Sequence, residues 1–276
     1  MRTLHSSLLK FTVSAFALIV LLAASILLSP STPVAQAQGP GGLTSLILQN
    51  LDPFNQMNAR LSYFDANGQT LVSILRTVPS YRSITLDQPS QIGLPSNYTG
   101  AATVDSDTPF GGVVVEYNGN ANSLGMSFQM DGYTAWPGPE ASTAITFTQL
   151  LKNIYDPGSN ATYNSKIFIQ NSSPNAATVT IKYVDSSGQA YVHSGVTIPA
   201  SGSYVADVAS DPALSGLSTF FGIGQVSATL PIAAIVRHRA TGILMSNSGF
   251  SSARAATTLY LTQVLKSVYD PISART

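Results

Sequence analysis

The chain has 276 residues with 13 basic and 13 acidic side chains, so it lacks the basic excess that nucleic acid or an anionic membrane surface attracts. It contains no cysteine, which excludes a disulfide framework, a thiolate nucleophile and a cysteine-ligated zinc site. Only 9% of residues are charged while 44% are hydrophobic, a balance that suits a folded, weakly charged extracellular β protein rather than a disordered one.

At the N-terminus, Arg2 and Lys10 flank the start of a mostly apolar run from Phe11 to Leu28, which Ser29-Pro30 interrupts. Ala35-Gln36-Ala37 then offers the small-x-small pattern of a signal-peptidase site. This predicts a signal peptide over residues 1–37, a Pro/Gly spacer over 38–42 and an extracellular or cell-surface location. Membrane attachment is expected only if the apolar run is kept as an anchor, since it reaches the lower length limit of a membrane span.

The rest of the chain is dominated by a stretch that occurs twice, first from Leu46 to Tyr81 and again from Lys166 to Tyr204. Gln49/Gln170, Asn50/Asn171, Tyr63/Tyr183, Asp65/Asp185, Gly68/Gly188 and Pro79/Pro199 recur in the same order. Ala177, Val179, Ile181 and Tyr183 alternate with polar residues, the period-two signature of a half-buried strand, and Ala59, Leu61 and Tyr63 do the same. Asp65-Ala66-Asn67-Gly68 and Asp185-Ser186-Ser187-Gly188 read as hairpin turns, the aspartates bonding their own turn backbone rather than a metal. Each copy is followed by a loop, then by Pro109 or Pro231 before an apolar strand (Gly112 to Val115 or Ile232 to Val236), and by a strand opened by Met126-Ser127 or Met245-Ser246.

A third correspondence closes each copy. Phe147 to Pro157 returns as Leu261 to Pro271, sharing Thr148-Gln149/Thr262-Gln263, Leu151-Lys152/Leu265-Lys266 and Tyr155-Asp156-Pro157/Tyr269-Asp270-Pro271. The segment is expected to end each unit, with Ile145 to Leu151 pairing inside the first and Leu259 to Leu265 inside the second. Asp156 to Asn160 would then be an interdomain linker. The predicted fold class is all-β, two tandem Ig-like β-sandwich domains after the signal peptide, over residues 43–157 and 158–276. Each has about the length of an immunoglobulin-type domain.

These residues resemble the tandem β-sandwich repeats of secreted, largely uncharacterised bacterial surface proteins. The likeness rests on Ile169-Gln170-Asn171, Tyr183-Val184-Asp185, Ile198-Pro199-Ala200-Ser201-Gly202-Ser203, Met245-Ser246 with Gly249-Phe250, Ser106-Asp107-Thr108-Pro109 and Lys152-Asn153-Ile154-Tyr155. Unit two departs from it at Ala228-Thr229-Leu230-Pro231, and unit one at Pro79-Ser80. The resemblance implies fold and location and carries no activity.

Chemistry-bearing residues are sparse. After residue 37 the histidines are His193 and His238, and the glutamates are Glu116 and Glu140, so paired-carboxylate hydrolysis would have to use Asp. No HExxH, Gly-x-Ser-x-Gly or phosphate-loop motif is present. Asp105/Asp107 and Asp207/Asp211 form two-carboxylate sets that read as turn caps before they read as calcium ligands. Arg237-His238-Arg239 reads as a solvated strand end, with an anionic glycan as its functional alternative. Asn97, Asn160 and Asn171 match the glycosylation acceptor pattern. Trp136, the single tryptophan, lies with Tyr133 in a Gly/Pro loop that unit two lacks. It is expected to plug the sandwich end or the domain junction, and otherwise to stack on a sugar ring. No cofactor, metal site or catalytic residue is expected. The leading functional expectation is a non-catalytic surface or matrix protein acting as spacer and adhesion module, with surface polysaccharide or other surface proteins as partners. Carbohydrate binding through Tyr133 and Trp136 comes second and a secreted hydrolase third.

Overall fold

The computed structural model describes residues 43–251 apart from 89–90, 92, 96–97, 119–128 and 241–242. The signal segment 1–37, the spacer 38–42, Asn97, Met126-Ser127 and the second closing copy at 259–265 lie outside the described residues. The described chain is all-β.

The first repeat contains β1 (Leu43–Asn50), β2 (Met57–Phe64), β3 (Thr70–Val78), β4 (Ser83–Asp87), β5 (Ala101–Ser106), β6 (Phe110–Asn118) and β7 (Gln129–Thr134). They form two antiparallel sheets ordered β4-β1-β6-β7 and β3-β2-β5. Leu46, Leu48, Met57, Ala59, Leu61, Tyr63, Val78 and Leu86 form one buried cluster drawn from both sheets. The strand pairs follow directly from the alternation: β2 buries Met57, Ala59, Leu61 and Tyr63 and leaves Asn58 and Arg60 outside.

The next strands are β8 (Ser142–Lys152), β9 (Ile154–Asp156), β10 (Ala161–Asn171), β11 (Ala177–Asp185), β12 (Ala190–Ile198), β13 (Ser203–Asp207), β14 (Phe220–Ala240), β15 (Ile243–Ser248) and β16 (Phe250–Ser251). β14 is long enough to pair with different strands along its two halves. Its first half pairs with β11, Tyr183 opposite Gly224, and its second half with β10, Phe168 opposite Ile235. The first repeat divides the same path into β5 and β6, with Pro109 between them where β14 carries Pro231. A proline at the bend removes one N–H, and its carbonyl is used instead: Leu51 N donates to Pro109 O at 3.0 Å, and Ser172 N to Pro231 O at 3.2 Å.

The turn residues do what their chemistry demands. Asp65 Oδ1 accepts from Asn67 N at 2.9 Å and Gln69 N at 2.8 Å, and Asp185 Oδ1 from Ser187 N at 2.9 Å and Gln189 N at 3.0 Å. Gly68 and Gly188 supply the positive φ of the turn, 79° and 88°. The Asn of each Gln-Asn pair is a buried hub. Asn50 Nδ2 donates to the carbonyls of Asn55, Val78 and Pro79, and Asn171 Nδ2 to those of Asn175, Ile198 and Pro199, at 2.7–3.3 Å. Their Oδ1 atoms each accept the N–H two residues on, from Asp52 and Ser173, at 2.9 Å. One side chain thus ties the strand end to the far turn in both repeats, which explains why this residue recurs.

Two expectations are corrected. Ile145 to Leu151 does not pair inside the first repeat: β8 runs antiparallel to β14, with Leu150 opposite Gly222 and Ile145 opposite Val226. Ile145, Phe147 and Leu150 are buried in the cluster formed by Ile167, Ile169, Val179, Ile181, Tyr183 and Val226. Alternating apolar residues identify a strand, but the unpaired edge of β14 supplies the partner, and that edge lies in the second repeat. Asp156 to Asn160 is likewise no linker. β9 and β10 form a hairpin, Tyr163 opposite Ile154, and Asp156 caps its turn through the backbone N–H groups of Gly158 and Ser159 at 3.0 and 3.1 Å.

Candidate functional site

Charged and aromatic side chains gather where β6, β7 and the second half of β14 meet. β6 presents Glu116 opposite Asp131 of β7, and Tyr133 opposite Val114. Arg237 of β14 reaches Glu116, Nη2 to Oε2 at 2.5 Å, with the carboxyl side chain almost wholly buried. The guanidinium also lies 4.5 Å from the centroid of the Phe168 ring, a cation–π placement. Burial pushes the Glu116 carboxyl up from its ordinary range and Arg237 pulls it part of the way back. Burial pushes the Tyr133 phenol up to about 12. These groups hold strands of the two repeats together by charge in a dry seam.

Arg237-His238-Arg239 is therefore not a solvated strand end. Arg237 is committed to Glu116, and His238 is buried, with its Nδ1 2.8 Å from Ser165 Oγ. The same hydroxyl accepts the Leu151 N–H at 2.8 Å and so links β8, β10 and β14. Burial lowers the His238 pKa below its ordinary 6.5.

Trp136 leaves β7 toward the second repeat. Its indole is half-buried against the second core, and Nε1 donates to Ala234 O at 3.1 Å. Tyr133, half-buried, faces the charged seam with Arg237 and Glu116. The pair is brought together in sequence and divided between two environments in space. Trp136 acts as an anchor at the junction.

A second cluster was not singled out from the sequence as a unit. Asp211 is buried, and its Oδ2 accepts from Tyr183 Oη at 2.7 Å and meets His193 Nδ1 at 2.8 Å, while Oδ1 accepts from Ala213 N at 2.9 Å. A His–Asp pair is the orienting half of a nucleophilic triad. Among the described residues, no serine or threonine hydroxyl is hydrogen-bonded to His193. The His193 ring instead stands edge-on to Tyr204, centroids 6.5 Å apart. The carboxylate pins β11, β12 and the 3-10 turn Pro212–Leu214, a packing task. The nearness of His193 and Asp211 required the hairpin and the loop to be placed, which no sequence spacing encodes.

Two of the other carboxylates suspected of holding calcium, Asp107 and Asp207, are engaged within the protein. Asp107 accepts from Asn58 N and Nδ2 at 2.8 and 2.7 Å, and Asp207 pairs with Lys166 Nζ at 2.8 Å. Among the described residues no group of three potential ligands converges.

No protein-family profile matches the chain, and no curated protein does. Among solved structures, the crystal structure of Thermotoga maritima 1070 overlaps 40% of this chain and 94% of that one, at 15% identity and a TM-score of 0.33. An overlap that loose bears neither on fold nor on function.

Proposed function

We propose that the chain is a non-catalytic protein exported to the cell surface or extracellular matrix. Its two tandem Ig-like β-sandwiches, near 43–157 and 158–276, serve as spacer and adhesion units, joined by a strand that the first lends to the second. The observation that carries this reading is the use made of its polar residues. The features the repeats share are the Asn50/Asn171 hub, the Asp65/Asp185 turn cap and the Pro109/Pro231 bend, all of them structural. The features they do not share, Glu116 with Arg237 and His193 with Asp211, are turned inward and bonded within the protein. The basic start, apolar run and Ala35-Gln36-Ala37 support export.

The test is protease shaving of intact expressing cells, with N-terminal sequencing of the mature protein and an ester and glycoside turnover panel on the purified product. The reading predicts surface-released fragments, a first residue of Gln38 and no turnover. A cytoplasmic product, or turnover that survives repurification, overturns it.

A further inference from the structure

β16 pairs with β8 through Phe250 opposite Thr146 and Ser251 opposite Ile145. Toward Ser248 the two chains splay, because β8 stays on the first half of β14 and β15 on the second. Continued in register, the β16 ladder would set Thr148 against Ser248 and Gln149 against Asn247. These four residues instead line a cavity of about 170 Å³. Val236 and His238 of β14 and Phe147 of β8 form its buried floor.

Two local features hold the cavity open. Gly222 lies opposite Leu150 and Gly224 opposite Phe147, so three steps along β8 match two along β14. The extra residue is a bulge, which turns the consecutive side chains of Thr148 and Gln149 both outward, and both are exposed. On the other wall, Gly249 N donates to Ala234 O at 3.1 Å and pins the corner between β15 and β16 to β14. A Cβ on Gly249 would lie 2.2 Å from Ile145 Cγ2, so this corner sits hard against β8. The cavity is therefore built before any ligand arrives.

The lining decides what fits. None of the lining residues is Asp, Glu, Lys or Arg, and burial keeps the His238 ring uncharged by lowering its pKa below the ordinary 6.5. A phosphate, carboxylate or ammonium group would lose its water there without gaining a counter-charge. Polar groups come from two planar amides, Gln149 and Asn247, and from the Thr148 hydroxyl. An aromatic wall comes from Phe250, which is left 50% exposed. In the first repeat Ala135 N donates to Gly112 O as Gly249 N does to Ala234 O, so Phe250 stands where Trp136 does. Trp136 packs on the second core, whereas Phe250 remains at the cavity. An aromatic face for C–H groups, rimmed by amides and a hydroxyl, complements a neutral sugar ring. A cavity of this size takes one six-membered ring, as an engineered cavity of about 150 Å³ takes benzene.

We infer that this cavity binds one neutral pyranose residue, its C–H face on the Phe250 ring and its hydroxyls on Gln149, Asn247 and Thr148. The inference rests on the surface reading only for the source of the sugar, a polysaccharide at or around the cell surface. The contact lies in the second repeat, away from Tyr133 and Trp136, which the junction occupies. One ring held by few hydrogen bonds binds weakly, so attachment relies on many copies of the protein along one polymer.

The test is a titration of the isotope-labelled purified protein with glucose, galactose, mannose and N-acetylglucosamine, read at its backbone amide resonances. At least one sugar should shift Thr148, Gln149 and Asn247 to Phe250 saturably in the millimolar range. Phe250→Ala and Gln149→Ala should each weaken that sugar by about three- to tenfold, with melting curves close to the parent's. Phe250→Tyr should preserve binding, and Trp136→Ala should leave the affinity unchanged. No saturable shift with any of these sugars would overturn the inference. Shifts centred on Tyr133 and Trp136, or undiminished binding by Phe250→Ala, would overturn it as well. The surface reading fails separately. A surface-released, turnover-free protein that binds none of the sugars ends the inference and leaves that reading standing, whereas a cytoplasmic product that binds one through Phe250 does the reverse.

Discussion

The two repeats share turns, hub asparagines and strand order, yet their cores are not built alike. The second surrounds Ile181 and Tyr183 with Ile145, Phe147 and Leu150 from β8, a strand that precedes it in the chain. The first surrounds Leu61 and Tyr63 with its own strands only, among the described residues, and leaves Ala102 and Val104 at an open edge. The difference teaches that the sequence repeat and the packing unit are out of phase. β8 is adjacent in sequence to the repeat it follows and adjacent in space to the repeat whose core it joins.

Substitutions separate the two. The largest effect is expected at β8: Phe147→Ala should cost about 3–5 kcal/mol, the usual penalty for a buried aromatic. The loss should fall on the second repeat, read as the melting of its own peptides in pulse proteolysis. Asn171→Ala and Asn50→Ala should each cost about 2–3 kcal/mol, because carbonyls at a buried turn lose their donor. The first should act on the second repeat and the other on the first, and urea midpoints resolved by repeat will show whether they do. Trp136→Ala should lower stability by roughly 2 kcal/mol through lost packing and the lost bond to Ala234, without a polysaccharide-specific effect in a glycan-binding screen.

The hairpin tips give a finer contrast. Gly68 and Gly188 have nearly the same φ, so each Gly→Ala change carries the left-handed penalty of about 1–2 kcal/mol. A Cβ at Gly68 would also lie 1.8 Å from Ala200 O, while nothing lies within 4 Å of one at Gly188. Gly68→Ala should therefore cost clearly more than Gly188→Ala in paired thermal melts. Equal costs would mean that the tip of the first repeat does not press on the turn of the second.

The smallest effect is a pH dependence. His238 is held neutral by burial, so its folded pKa lies below 6.5. As pH falls through 6.5 the unfolded chain takes up a proton that the folded one refuses, and stability declines down to the folded pKa. Glu116 acts in the opposite sense: its folded pKa is raised above 4.5, and stability is gained as pH falls through that raised value. Melting curves across this range should show the first decline, and His238→Gln should flatten it.

Much of this was legible in residue order. Period-two alternation located β2 and β11, and Asp65, Asp185, Gly68 and Gly188 located their turns, because these signals are local. The edge that β8 joins was not legible, since Ile145 and Phe147 specify a buried face without naming the neighbouring strand. Arg237 was misread for a related reason. A charge among apolar residues suggests solvent until the partner, Glu116, is known, and that partner lies in the other repeat. Trp136 sits in a Gly/Pro loop without an equal in the second repeat, read as a plug or a sugar-stacking residue; its indole donates to Ala234 O.

Hydrogen-exchange mass spectrometry of the full-length Phe147→Asp protein tests the strand assignment most directly. The account predicts lost protection in peptides covering β10 to β14, Ala161 to Ala240, with little change in peptides covering β1 to β4, Leu43 to Asp87. Loss of protection in the first repeat with the second intact would contradict it, and would return β8 to the repeat that precedes it.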